Sequence, residues 1–286
     1  MKNRKGLVIA LTVAFAFGIS ACSSSDSTES ASASCEKADL ATIENGVLTI
    51  ATGEPAYYPW VIDDAPESGE GFEAAVAYAV ATQLGFSKDE VKWVRTTFDG
   101  AVTPGEKNFD FNLQQFSIND ERKKTVSFSA SYYSTNQAVV ALAGSPAIGA
   151  TTVADLADVK FGAQAGTTSL DFITNVIKPT AEPFAYDDNA GAKAALEAKQ
   201  IDAIVVDRPT AFYIAAGELT GASVVGQFPA SASTTPDNFG LVFDLDNPLV
   251  SCVDTALAAL KDNGTLAEIE KTWLADKTNA PVIAVS

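Results

Sequence analysis

The 286-residue chain contains no histidine. That absence excludes Ser-His-Asp and Cys-His catalysis and removes the commonest transition-metal ligand. Cysteine is scarce, with Cys22, Cys35 and Cys252 the three in the chain. Cations are few: 19 Lys and Arg stand against 36 Asp and Glu, for a formal net charge of −17. So acidic a chain lacks the positive face that nucleic acid demands, and no such partner is expected. The acidic residues do not follow calcium-loop spacing either; Asp187-Asp188 reads as a solvated turn. No metal and no cofactor is expected. The apolar run from Gly6 to Ile19 is too short for a comfortable bilayer span.

What is present points outward from the cytoplasm. Lys2, Arg4 and Lys5 precede the apolar run, and Ser20-Ala21-Cys22 follows it. A basic start, a short apolar core and small residues before a cleavage point predict a signal peptide over 1–21. Ile19-Ser20-Ala21-Cys22 resembles a bacterial lipobox, which implies that Cys22 becomes the lipidated mature N-terminus. The ordinary alternative is a plain signal peptide with an incidental cysteine. Residues 22–35 are Ser-rich and suit a flexible tether. The expected location is extracytoplasmic, anchored by lipid to the outer face of a bacterial membrane. Removing Lys2, Arg4 and Lys5 takes the net charge to about −20, which favours solubility and says nothing about fold. With Cys22 lipidated, Cys35 and Cys252 remain. Two cysteines outside the cytoplasm most often pair; two separate buried thiols are the alternative.

The rest of the chain suffices for one large domain or two modest ones. A hydrophobic content of 47% with 19% charged residues reads as ordinary globular protein. Strand patterns at 47–51, 91–94, 111–113, 160–163 and 201–206 alternate with helical spacing. The helical segments are 72–84, 169–177, 190–198, 209–219, 248–261 and 265–275. Such alternation predicts an α/β fold with mostly parallel sheets. Extended runs at 137–142 and 238–243 read either as crossings between lobes or as internal strands.

The segment Phe109-Asp110-Phe111-Asn112-Leu113-Gln114-Gln115-Phe116-Ser117-Ile118-Asn119-Asp120-Glu121-Arg122 leads into Val126-Ser127-Phe128-Ser129 and Tyr132-Tyr133. It resembles the signature of amino-acid-binding proteins of ABC importers, the type II periplasmic-binding fold. Gly53-Glu54-Pro55-Ala56-Tyr57-Tyr58-Pro59-Trp60, Gly166-Thr167-Thr168 and Ile201-Asp202-Ala203-Ile204-Val205-Val206-Asp207 agree with it, in the right order. The resemblance covers roughly 47–276. It implies two lobes, each a mostly parallel sheet flanked by helices: 36–141 plus 238–286, and 142–237. The runs at 137–142 and 238–243 become hinge strands, with the ligand in the cleft between the lobes.

A free amino acid is a zwitterion, and a cleft that buries it must replace water at both charges. Arg122 offers a planar fork for the carboxylate. Without the resemblance it reads as a wet surface arginine beside Asp120, Glu121, Lys123 and Lys124. The start of the helix at Gly166-Thr167-Thr168 attracts an anion, and the Thr168 hydroxyl adds to it. Ordinary capping by threonine is the alternative. Asp207, at the C-terminal end of a strand, matches the family's carboxylate for the ligand ammonium. It reads equally as a helix cap ahead of Arg208-Pro209. Ser117 adds a contact from the first lobe, its alternative being a turn residue. Tyr57 matches the aromatic that covers the ligand side chain, a role open also to Tyr58 and Trp60. Glu54 either pairs with a cationic ligand side chain or stabilises its loop.

Two departures stand out from the family pattern. Gln114 and Gln115 replace residues that are often small, which would narrow the pocket or hydrogen-bond a polar ligand. Glu73 replaces an aspartate at the start of the first helix, where it still suits the helix dipole. The resemblance implies a non-enzymatic monomer that takes up a free polar amino acid and hands it to an ABC permease with its ATPase. An exported dehydratase-like enzyme on the same fold, or a lipoprotein presenting ligand to a sensor, are the alternatives.

Overall fold

The structure, a computed structural model, describes residues 34–232, 237–274 and 280–285. The expected signal segment, Cys22 and the tether as far as 33 lie outside the described residues. Two five-stranded sheets dominate. The first contains β1 (Leu48–Gly53), β2 (Val91–Thr96), β3 (Phe111–Asn112), β4 (Ser127–Phe128) and β12 (Val242–Phe243), in the order β2-β1-β3-β12-β4. The second contains β6 (Gln137–Leu142), β7 (Phe161–Gln164), β8 (Phe184–Tyr186), β9 (Ala203–Asp207) and β10 (Ala222–Gln227), in the order β10-β6-β9-β7-β8. A two-stranded ribbon of β5 (Tyr133–Thr135) and β11 (Asp237–Phe239) joins them.

Each sheet has a parallel trio: β2, β1 and β3 in the first, and β9, β7 and β8 in the second. The strand that enters each sheet through the ribbon runs antiparallel to its neighbours. β6 is antiparallel to β9 and β10, and β12 to β3 and β4. β1, at the centre of its trio, is buried along its whole length, so its residues do not alternate between buried and exposed. In the second sheet the period of two sorts the core. Ala138, Val140, Ile204 and Val206 pack on one face, and Val139, Ala141, Ala203 and Val205 on the other.

Seven helices are described: α1 (Phe72–Gln83), α2 (Phe98–Val102), α3 (Thr168–Phe172), α4 (Asn189–Glu197), α5 (Arg208–Tyr213), α6 (Leu249–Asp262) and α7 (Thr265–Trp273). The Ala-rich α1 buries residues nearly all round and packs against α6 and α7. Its entry needs Gly71, at φ +105°, because a Cβ there would sit 2.5 Å from the Trp60 carbonyl oxygen. Both α3 and α5 widen into a π-turn, at Ile173–Ile177 and Ile214–Glu218. The helices expected over 169–177 and 209–219 therefore change pitch midway.

Three segments lie elsewhere than the expected division of the chain puts them. The run at 137–142 is β6, inside the second sheet, and the crossing lies earlier, at Tyr133–Thr135. The run at 238–243 is split between β11 in the ribbon and β12 in the first sheet. The C-terminal residues also do not stay with the first sheet. Val282 bridges Gln227, Ala284 bridges Thr152, and Ile283 is fully buried in the core of the second. Gly226 makes that possible: a Cβ there would lie 2.6 Å from Ile283 Cγ1.

Cys35 and Cys252 form a disulfide with Cα atoms 5.3 Å apart and a sequence separation of 217. It fixes the segment that follows the tether to α6. Closing so long a loop removes much chain entropy from the unfolded state. Cys252→Ser is expected to lower unfolding free energy by about 2–5 kcal/mol, and reductant should lower the wild-type melting temperature but not the variant's. Equal melting temperatures for wild type and variant under oxidising conditions would contradict this.

Candidate functional site

A cavity of about 50 Å³, counted as room for the centres of water molecules, lies between the two sheets. Its wall brings together Tyr57, Gln115, Ser117, Arg122, Thr167, Thr168 and Asp207. Glu54 is not among them. It is exposed at the end of β1, and its N–H donates to the Thr96 carbonyl at 3.1 Å. The structure does not bring Glu54 onto this wall with the other candidates.

Arg122 is not the wet arginine that its neighbours suggest. Lys123 and Lys124 are exposed and pair with Asp120 and Glu121 at 3.2 and 2.7 Å. Arg122 opens the same short 3₁₀ turn but points inward and is 8% exposed. Its Nη1 donates to the Ser117 carbonyl at 2.7 Å and its Nη2 to the Gly166 carbonyl at 3.0 Å. The guanidinium also lies 5.2 Å from the Phe98 ring centroid and 5.9 Å from that of Phe116, which stacks on Phe98. No carboxylate pairs with it within 4.0 Å among the described residues. Burial pulls its pKa down to about 10, against the attraction of Asp171, Asp237 and Asp99. It is still a cation at neutral pH.

The Gly166 carbonyl belongs to the turn before α3. Gly166 sits at φ +70°, and a Cβ there would meet Asp99 Oδ1 at 2.5 Å. Only glycine lets the two sides approach so closely. Thr167 is the helix cap: its hydroxyl donates to the Gln164 carbonyl at 2.7 Å and accepts from the Leu170 N–H at 3.2 Å. Thr168 is the first helical residue, with its hydroxyl 3.3 Å from that of Ser117 across the cleft.

Ser117 is buried and occupies the centre of a polar chain. Its hydroxyl donates to Asp237 Oδ1 at 2.9 Å. Gln137 Nε2 donates to the other Asp237 oxygen at 2.8 Å, and the Ser169 hydroxyl to Gln137 Oε1 at 2.7 Å. Asp237 stands on β11, so the ribbon that carries the chain between sheets is tied to the site.

Asp207 has two places in the structure. Its carboxylate caps α5, accepting from the Thr210 N–H at 3.3 Å and the Thr210 hydroxyl at 3.0 Å. It also lines the cavity. Burial raises its pKa to about 7; the Thr210 bonds oppose this and the charge of Asp237 adds to it. Trp60 Nε1 donates to the same Thr210 hydroxyl at 2.9 Å, which links the first core to α5.

The three aromatic candidates separate cleanly. Trp60 is fully buried among Phe72, Tyr133 and Phe239. Tyr58 stacks on Tyr213 at 4.0 Å, away from the cavity wall. Tyr57 lines the cavity, and its oxygen accepts from the Ala190 N–H at 3.3 Å. Burial, with Asp188 next, raises its pKa to about 12, so it stays neutral.

Glu73 has a larger part than the helix dipole alone assigns it. It is 1% exposed and accepts from the Gln115 N–H at 2.7 Å, from Gln115 Nε2 and from the Tyr132 hydroxyl. Gln115 sits at φ +51°, an unusual conformation for a residue with a side chain, and Glu73 holds it there. Burial raises the Glu73 pKa to about 7, against those three bonds.

Sequence reasoning missed Phe98, Gln137, Gln164, Asn189 and Asp237. Gln137 and Gln164 carried a readable signal, a polar residue at the end of an otherwise apolar strand. Phe98 carried none, because its pattern is that of any core phenylalanine.

An L-arginine-binding protein of Pseudomonas aeruginosa is 26% identical over 225 residues, covering 77% of this chain and 85% of that protein. An L-cystine-binding protein of Escherichia coli is 28% identical over 233 residues, covering 80% and 83%. A solved ancestral arginine-binding protein bound to arginine superposes with a TM-score of 0.67 at 27% identity, over 80% of this chain and 99% of that one. The fold is the type II periplasmic-binding fold, as the two sheets and their ribbon already indicate. The model of bacterial extracellular solute-binding proteins, family 3, matches residues 48–276, and the chain belongs to that family.

Proposed function

We propose that this solute-binding protein captures a free polar amino acid between its two sheets and delivers it to an ABC permease, without chemistry of its own. The observation that carries the reading is Arg122: a buried cation on the cavity wall, held by two carbonyls and paired with no carboxylate among the described residues. Such a group is costly unless an anion completes its shell. A ligand carboxylate would take the remaining guanidinium donors, with the Thr168 hydroxyl and the N–H groups at the start of α3. Asp207, on the same wall, would take the ammonium. The two charges thus match a zwitterion, and Tyr57 and Phe98 would flank its side chain.

The same wall explains how binding would drive closure. Arg122 and Ser117 come from the segment after β3, and Thr168 and Asp207 from the second sheet's side. A ligand that bridges them stabilises the approach of the two sides selectively. The relatives named for arginine and cystine support the amino-acid class, as does their extracytoplasmic family. A lipid anchor at Cys22 would hold the protein beside its permease.

Thermal unfolding of the purified protein with each amino acid tests this directly. A ligand at a hundred times its Kd is expected to raise the melting temperature by about 5–10 °C. Arg122→Ala should abolish the shift while the variant still unfolds cooperatively. No shift with any amino acid would overturn the proposal.

A second expectation concerns pH. Asp207 has its folded pKa raised to about 7, above the usual carboxylate range. A carboxyl that prefers its proton when folded stabilises the protein at low pH, and this contribution is lost as pH rises through about 7. Asp207→Asn keeps an oxygen for the α5 cap and removes the buried charge. It should stabilise the ligand-free protein at pH 8 by about 1–2 kcal/mol. It should also weaken amino-acid binding at least about tenfold. Loss of both stability and binding at pH 8 would contradict the assignment.

A further inference from the structure

Arg122 and Asp207 are the two charged residues on the cavity wall; every other lining residue is uncharged. If both serve the zwitterionic head of an amino acid, neither is left for its side chain. A cationic side chain would need another carboxylate. The acidic groups that act on Tyr57 are Asp188, Glu218 and Asp64, and none of them is on the cavity wall. Asp188 accepts from the Gly191 N–H at 2.7 Å as the cap of α4. Glu218 pairs with Lys193 at 2.9 Å, and Asp64 with Arg95 at 2.5 Å. Glu54 is exposed and off the wall. An anionic side chain fares no better, since Lys193 and Arg95 are the partners in those same pairs.

Gln114 adds an independent observation. Its amide lines the cavity, and its Oε1 is buried without a hydrogen-bond partner. Two other amides on the wall are committed, that of Gln115 to Glu73 and that of Gln137 to Asp237 and Ser169. The end of β1 keeps the Gln114 amide in place: a Cβ at Gly53 would lie 2.8 Å from Gln114 Nε2. An orphaned buried acceptor is unfavourable, and a ligand N–H or O–H would satisfy it.

Building on the amino-acid reading above, we infer that the ligand's side chain is uncharged and donates a hydrogen bond, and that Gln114 is the residue that reads it. A primary amide, a ureido group or a hydroxyl meets both conditions. An amide fits an amide especially well, since each offers a donor and an acceptor. This sets the chain apart from its arginine-binding relatives.

Isothermal titration of the purified protein with glutamine, asparagine, citrulline, serine, arginine, lysine, glutamate and norvaline tests the inference. At least one neutral donor is expected to bind about tenfold or more tighter than arginine, lysine or glutamate. Gln114→Leu should cost that ligand about tenfold. It should leave norvaline, which has no side-chain donor, nearly unchanged. Gln114→Glu should shift preference toward arginine. Tightest binding of arginine or glutamate by the wild type would overturn the inference and leave the amino-acid reading intact. Equal losses for glutamine and norvaline in Gln114→Leu would assign Gln114 to the ammonium and overturn it too. Binding of no amino acid would overturn both readings together. The wild-type panel decides the charge question even if a variant fails to fold.

Discussion

A buried guanidinium without a carboxylate partner organises this molecule. Arg122 cannot be desolvated on one side alone, so both sides of the cleft contribute to it. Ser117 and Phe98 come from the first sheet's side, and the Gly166 carbonyl from the second's. Gly166, at φ +70°, brings its backbone close to the Asp99 carboxylate in that approach. The Ser117 hydroxyl is turned toward Asp237, which draws in the ribbon and Gln137. Two neutral carbonyls and a ring face keep the cation charged without neutralising it. That differs from a structural salt bridge, in which the partner carboxylate would already occupy the fork.

The second constraint is the opposite charge. Asp207 and Glu73 are both carboxyls whose burial raises the pKa to about 7. Their environments differ in kind. Glu73 accepts from three protein donors and holds Gln115 in a left-handed conformation, so its cost is offset within the fold. Asp207 accepts only from Thr210 at the start of α5 and otherwise faces the cavity. One supports the shape of the wall; the other places a carboxyl on it. Stability sacrificed at a site is a common mark of function.

Much of this was legible in the sequence, for reasons that differ by element. β1, β7 and β9 were readable because parallel strands buried on both faces are continuous apolar runs. The crossings were misread because β6 and the ribbon strand β5 are adjacent and both largely buried, so no pattern marks where one ends. The tail's return to the second sheet depends on Ile283 meeting Gly226, a contact between distant residues that leaves no local signal. At the site, Arg122 was found through its motif alone; its neighbours Lys123 and Lys124 argued for solvent. Asp237 was missed since a lone aspartate before Asn238-Phe239 looks like a turn.

Family resemblance and site chemistry carry different information here, and specificity depends on the second. Identity near 26–28% to arginine- and cystine-binding proteins accounts for the scaffold. It does not transmit the charge of a side-chain pocket, which one residue can reverse. In this chain the acids around Tyr57 are off the wall, and two of them pair with Lys193 and Arg95. Reversing that would take an unpaired carboxylate on the wall, and Gln114 has the place and length to supply one as glutamate. The amide there therefore does more than fill space. It excludes a counter-charge from the position where a cationic ligand would need it, and it offers a neutral ligand the hydrogen bond that the fold leaves unmade.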